Sequence, residues 1–182
     1  MVMATVTTGS TIEEFEQLPD ALAHNKELVD GELVDVSGNI GGHNKLRDVF
    51  IELLRPYVRQ HGLGLIVSEQ EFQFDQNVHG PDITLVSPSK VELFDDQLRV
   101  QRFVPDFAIE ITSKNDKFET LVAKVLRYRR CRTSEAWIFS IPTRQAFLYS
   151  ERLTTILFED QDFQSPLIPG FSIRIADLLA MI

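Results

Sequence analysis

The segment Asp106-Phe107-Ala108-Ile109-Glu110-Ile111-Thr112 constrains this chain more than any other. Aromatic and β-branched residues dominate from Phe103 to Thr112, which predicts a strand. Side chains of a strand alternate between its two faces. Phe107, Ile109 and Ile111 therefore share one face, a core face. Asp106, Ala108, Glu110 and Thr112 share the other, so a carboxylate sits in the middle of a strand that should be well buried. An ionised carboxylate in that position needs a cation, a cluster of donors or a water-filled cleft.

For an isolated glutamate the ordinary reading is a solvent-facing side chain or an arginine pair. Three features argue for more. A second short apolar run, Asp82-Ile83-Thr84-Leu85-Val86, also opens on an aspartate. The chain between the two runs is short enough for them to be neighbours in one sheet. A lysine also interrupts the apolar stretch Val122-Ala123-Lys124-Val125-Leu126 of the following helix. Two carboxylates from adjacent strands plus a lysine form the constellation of a divalent-metal phosphodiesterase. Hard oxygen ligands suit Mg²⁺ or Mn²⁺. The metal polarises a phosphate and acidifies a bound water, and the ammonium offsets charge in the transition state. Asp82 is a better partner for Glu110 than Asp106 is. Four residues of strand separate the α-carbons of Asp106 and Glu110 by about 13–14 Å, too far to share one ion. Asp106 is left a strand-opening or supporting role.

The rest of the chain reads as an α+β or mixed α/β class around one sheet. Residues 1–19 are expected to be a frayed tail with a short helix, started by the capping-box spacing Thr11…Glu14 and ended at Pro19. Residues 20–182 form the domain. Glu27 to Val36 predicts a hairpin across Asp30-Gly31, a pair suited to a turn with two positive φ angles. Gly38 to Gly42 reads as a flexible connector. Leu46, Val49, Phe50, Leu53, Leu54, Tyr57 and Val58 recur at helical spacing, with Pro56 expected to kink that helix and Gly62 to stop it. Strands are expected over Leu63–Ser68, Glu71–Phe74 and Thr154–Phe158, and a second hairpin over Glu135–Ile141 and Gln145–Ser150. Asp116 is a candidate cap for a helix over Phe118–Cys131, which would bury Phe118, Leu121, Val122, Val125 and Tyr128 or Arg129. Ser172–Ile175 reads as a short strand and Ala176–Ile182 as a final helical turn or two.

Charge and cysteine usage exclude some functions. Eighteen Lys and Arg face 27 Asp and Glu, a formal net charge of −9. A protein that grips nucleic acid by global charge would be basic. Action on nucleic acid here requires a local basic patch or metal ions in a carboxylate-rich site. Lys124, Arg127, Arg129, Arg130 and Arg132, within nine residues, are the candidate patch. They read equally well as an exposed helix face. A single cysteine, Cys131, excludes a disulfide framework and a cysteine zinc site, and it reads as a buried thiol. No apolar run is long enough to span a membrane. The first ten residues lack the charge and apolar stretch of a secretory signal, so the expected compartment is the cytoplasm.

With these residues in place, a family likeness emerges. Gly80-Pro81-Asp82, Val104-Pro105-Asp106-Phe107-Ala108-Ile109-Glu110-Ile111-Thr112-Ser113, Lys124 with Tyr128, and Glu135-Ala136-Trp137-Ile138-Phe139 resemble the bacterial restriction-endonuclease family of the Uma type. That family lies within the PD-(D/E)XK nuclease superfamily. The hairpin Glu27 to Leu33, His43 opening the long helix, Pro169-Gly170 and Leu178-Leu179 also fit its pattern, so the resemblance runs from about residue 20 to the end. It implies a restriction-endonuclease-like fold, a central mixed sheet flanked by helices. It also implies a metal site from Asp82 and Glu110, and cleavage of DNA phosphodiesters with Mg²⁺ or Mn²⁺. A chain of this size would cut both strands of a duplex as a homodimer. The superfamily's lysine would stand two residues after the glutamate, where this chain has Thr112. Lys124 on the next helix fits as its replacement, with Lys114 and Lys117 ranked second. The same substitution leaves open a non-catalytic descendant that binds nucleic acid or protein. A sugar- or nucleotide-processing enzyme lacks support, because the chain has neither a Gly-rich phosphate loop nor a nucleophile elbow. His43 reads first as a helix-start residue, Glu32 as a solvated hairpin residue with a third-carboxylate role second, and Trp137 as core.

Overall fold

A computed structural model describes residues 9–36, 40–112 and 116–182. In chain order the elements are α1 (Ile12–Glu16), α2 (Asp20–Ala23), β1 (Lys26–Val29), β2 (Glu32–Asp35), α3 (Gly41–Gln60), β3 (Leu65–Ser68), β4 (Glu71–Phe74), β5 (Asn77–His79) and β6 (Ile83–Val86). A 3₁₀ turn (Pro88–Leu93) leads to β7 (Val100–Gln101), β8 (Phe107–Thr112), α4 (Phe118–Arg130), β9 (Glu135–Ser140) and β10 (Gln145–Ser150). The chain continues through β11 (Thr154–Leu157), β12 (Asp162–Gln164), β13 (Ser172–Arg174) and α5 (Ile175–Leu179). The strands form three sheets rather than one. A six-stranded mixed sheet has the order β11-β10-β9-β8-β6-β3, a five-stranded sheet the order β2-β1-β5-β4-β7, and β12 pairs with β13.

The six-stranded sheet is covered on both faces, as the uninterrupted burial of β8 and β9 requires. β8 and β9 are parallel and joined through α4. Phe107, Ile109 and Ile111 of β8 pack with Leu46, Phe50, Leu54 and Val58 of α3. Ala108, on the other face, packs with Leu121, Val125 and Tyr128 of α4 and with Phe72 and Phe74 of β4. The five-stranded sheet thus closes over the α4 side. The chain passes from one sheet to the other through Gly80-Pro81-Asp82, between β5 and β6.

Most local expectations hold. Thr11 and Glu14 make the reciprocal capping box of α1, and Ile12 and Phe15 are buried with Leu28, Val78 and Val100. Asp30 and Gly31 both take positive φ, 51° and 84°, in the β1–β2 turn. Gly62, at φ 64°, follows the end of α3.

Several differ. Gly41 and Gly42 are the first turn of α3 rather than connector, while Gly38 lies outside the described residues. Pro56 sits within α3, which continues to Gln60. Lys117, not Asp116, is the cap of α4, with no side-chain cap bond. Phe118 is exposed and Val122 only half-buried on that helix, because its buried stripe is the narrower Leu121, Val125, Tyr128. Phe103 and Val104 precede β8, which begins at Phe107. Cys131 is half-buried, and burial pushes its thiol up from the ordinary value. Trp137 is core, and its indole N–H donates to Glu135 at 3.2 Å.

Candidate active site

β6 and β8 are antiparallel neighbours with Ile83 opposite Ile109. Extending that register one step brings Asp82, at the mouth of β6, alongside Glu110. Asp82 is held at both oxygens. Oδ2 accepts from the Ile111 backbone N–H at 2.7 Å, and Oδ1 lies 3.1 Å from His43 Nε2. Glu110 is 3% exposed and is neither solvent-facing nor paired with arginine. Its Oε1 accepts from the Tyr128 hydroxyl at 2.7 Å, and Lys124 Nζ stands 3.1 Å from each of its oxygens.

Lys124 has a second partner that the sequence reading did not assign, Glu27 of β1, whose Oε1 is 2.8 Å away. Glu27 also accepts from the Gly80 N–H at 3.1 Å and is bonded to His79 Nδ1 at 2.8 Å. Two carboxylates, one from each large sheet, therefore share one ammonium, with Asp82 beside Glu110, at the wall of a cleft of about 440 Å³. His43, Glu71, Gly80 and Arg99 also line it.

The electrostatics follow from that crowding. Burial, reinforced by the Asp82 and Glu27 charges against the pull of Lys124 and the Tyr128 hydrogen bond, raises Glu110 to about 8. Burial pushes Glu27 up too, but the Lys124 charge and the His79 hydrogen bond prevail and hold it at about 2. Lys124 is desolvated, yet the flanking carboxylates raise its pKa above the ordinary lysine value. Burial and the same anions keep Tyr128 protonated, which suits it as a donor. The His79 ring is lowered, mainly by burial. His43 is raised because its bond to Asp82 outweighs desolvation.

The remaining candidates fall elsewhere. Asp106 binds Lys90 Nζ at 2.6 Å and the Ser87 N–H at 3.3 Å, a strand-opening role. Glu32 is exposed on β2, so the third carboxylate is Glu27. Lys117 is exposed at the start of α4, and Lys114 lies outside the described residues. Thr112 is buried on the Glu110 face, and its hydroxyl has no hydrogen-bond partner among the described residues. Within the basic cluster Arg127 pairs with Asp30 and Asn77 of the five-stranded sheet. His43 lies inside the first turn of α3 with its ring on Asp82, rather than capping the helix. Tyr128, named beside Lys124 in the family likeness, stands four residues after it and hence on the same helix face, but its bond to Glu110 was not assigned from the sequence. Glu27 and His79 had no comparable local signal.

A family described as Uma2, "Putative restriction endonuclease", matches residues 12–176. The chain belongs to this family. The fold agrees with a solved structure described as "a putative nuclease belonging to DUF820 from Anabaena variabilis ATCC 29413". The TM-score is 0.84 at 19% identity, over 94% of this chain and 98% of that one. No curated protein matches the chain. Among the described residues no helix is long and apolar enough to cross a membrane.

The donor set fits a divalent cation. Among the described residues no group of three or more His, Cys, Asp or Glu side chains is placed to hold a metal ion. Mg²⁺ does not ask for such a group, since it keeps several waters and takes one or two carboxylates. Asp82 and Glu110 are the two carboxylates that would hold such an ion.

Proposed function

We propose that this protein is a divalent-metal-dependent endonuclease that hydrolyses DNA phosphodiester bonds at the Asp82–Glu110–Lys124 cleft. One observation supports this reading above all: a buried carboxylate pair on adjacent strands shares its cleft with a fixed ammonium. Asp82 and Glu110 would hold Mg²⁺ or Mn²⁺. When bound, the metal polarises the phosphate and lowers the pKa of a water. The chain's own residues orient the reaction. The Ile111 N–H and His43 fix the Asp82 carboxylate, and Tyr128 fixes Glu110. Lys124 presents its charge where the phosphate oxygens gain theirs. Glu27 holds that lysine in place from the opposite wall.

The test is cleavage of plasmid DNA with Mg²⁺ or Mn²⁺. Glu110→Gln should abolish it with the fold intact. Lys124→Ala should slow it by about 10²–10³-fold, the usual loss for one transition-state donor. A second reading, a non-catalytic binder of nucleic acid or protein, draws on Thr112 at the superfamily's lysine position. If wild type is inert and Thr112→Lys creates cleavage, the site is degenerate. If both are inert on DNA and RNA with either metal, the binding role replaces the nuclease.

A further inference from the structure

The six-stranded sheet ends at β11, and no further strand pairs with it among the described residues. Exposed sheet edges are normally guarded by charge, proline or a covering element. The corresponding edge strand of the five-stranded sheet, β2, carries Glu32 and Asp35, the latter ion-paired to Lys26. β11 reads Thr154-Thr155-Ile156-Leu157, with no charge. Ile156 is 48% exposed and Phe158 is 53% exposed. Ile156 lies beside Phe147 of β10, and Phe147 packs at a tilt against Phe118 of α4 with ring centroids 4.8 Å apart. Phe118 is itself exposed. An apolar strip therefore runs from α4 across β10 to the open edge, the kind of surface that marks an interface.

We propose that β11 pairs antiparallel with β11 of a second copy, centred on Ile156, so that the two six-stranded sheets become continuous. The backbone dictates the centre. Residues opposite each other in an antiparallel ladder both turn their N–H and C=O toward the partner or both turn them away. A strand can therefore meet its own copy only about a central residue. The Ser150 N–H donates to the Leu153 C=O at 3.0 Å, so odd-numbered residues of the strand bond β10. Thr154 and Ile156 direct theirs to the open edge. Centred on Ile156, each Ile156 faces its copy and Thr154 faces the partner's Phe158. Arg152, in the β10–β11 turn, then comes toward the partner's Asp160, in the turn after β11, beyond both ends of the ladder, an opposite-charge pair that the two-fold repeats. Such opposite-charge pairs favour one register over its neighbours. Centring on Thr155 instead would bring Glu151 toward the partner's Glu159, which is already ion-paired within its own copy, and would form no opposite-charge pair. Gln161 Oε1 already accepts from the Phe158 N–H at 2.9 Å, so Thr154 and Ile156 carry the ladder.

Sedimentation tests this independently of any cleavage. Wild type should have twice the chain mass, and Ile156→Lys should halve it with an unchanged far-UV spectrum. Arg152→Asp should weaken the dimer, and Arg152→Asp with Asp160→Arg should restore it. In a Cys131→Ser background, Ile156→Cys should cross-link under mild oxidation, and Thr155→Cys should not. A wild type that sediments as a monomer at every concentration, or a dimer that survives Ile156→Lys, overturns the proposal. Cross-linking through position 155 in preference to 156 overturns the register.

Discussion

Lys124 holds two carboxylates at once, Glu27 at 2.8 Å and Glu110 at 3.1 Å, from a side chain that is almost wholly buried. Removing one member of a buried ion cluster leaves the others uncompensated, at a cost of about 3–5 kcal/mol. Lys124→Ala should lower the unfolding free energy by that order in urea melts. Millimolar Mn²⁺ should recover part of the loss, because a cation then replaces the ammonium's charge.

The two glutamates should respond to pH in opposite senses. Glu110 is raised from 4.5 to about 8, so in metal-free protein its contribution to stability declines as pH rises between those values. A metal must displace that proton, so stabilisation by Mn²⁺ should grow as pH rises through 8, read as the shift in melting temperature with and without the ion. Glu27 is depressed to about 2, so its contribution is present above 4.5 and is lost as pH falls through 2. A Glu27→Gln variant should lose that part of the acid dependence.

Among the elements, what was legible and what was hidden divide by the range of the signal. Alternation along β8 put Glu110 opposite the core face, and the short link to β6 brought Asp82 beside it. Helical spacing placed Lys124 on α4. β5 and β7, with three and two residues, are too short to show a period and are defined only by their partners. Glu27 and His79 reach the site by long-range packing of the second sheet, which no local pattern encodes. Gly64 marks where the pairing of β3 with β6, within the six-stranded sheet, leaves no slack. It opens β3 at φ 110°, and a Cβ there would come within 2.0 Å of the Val86 carbonyl oxygen. Gly64→Ala should cost at least about 1–3 kcal/mol, from backbone strain alone, and more from the clash. Gly41→Ala, with nothing within 4 Å of the new Cβ, is the control.

For the whole molecule, a net charge of −9 means that no broad basic field draws a polyanion in. In EDTA, binding of a DNA oligonucleotide measured by fluorescence anisotropy should be weak and should depend little on salt. Divalent metal should raise the affinity, and Asp82→Asn should remove the gain. Tight, steeply salt-dependent binding without metal would move the contact surface away from the cleft, toward the arginines of α4.

The convergence of both large sheets on one lysine bears on how the chain is made. Synthesis runs from the N-terminus, and segments begin to fold as they emerge. The hairpin bearing Glu27 leaves the ribosome first, and α4 follows only after β6 and β8. Until Lys124 appears, Glu27 and Glu110 have no shared counter-charge to draw the two sheets together. A cleft that depends on the late helix stays unformed in every nascent chain that ends before α4.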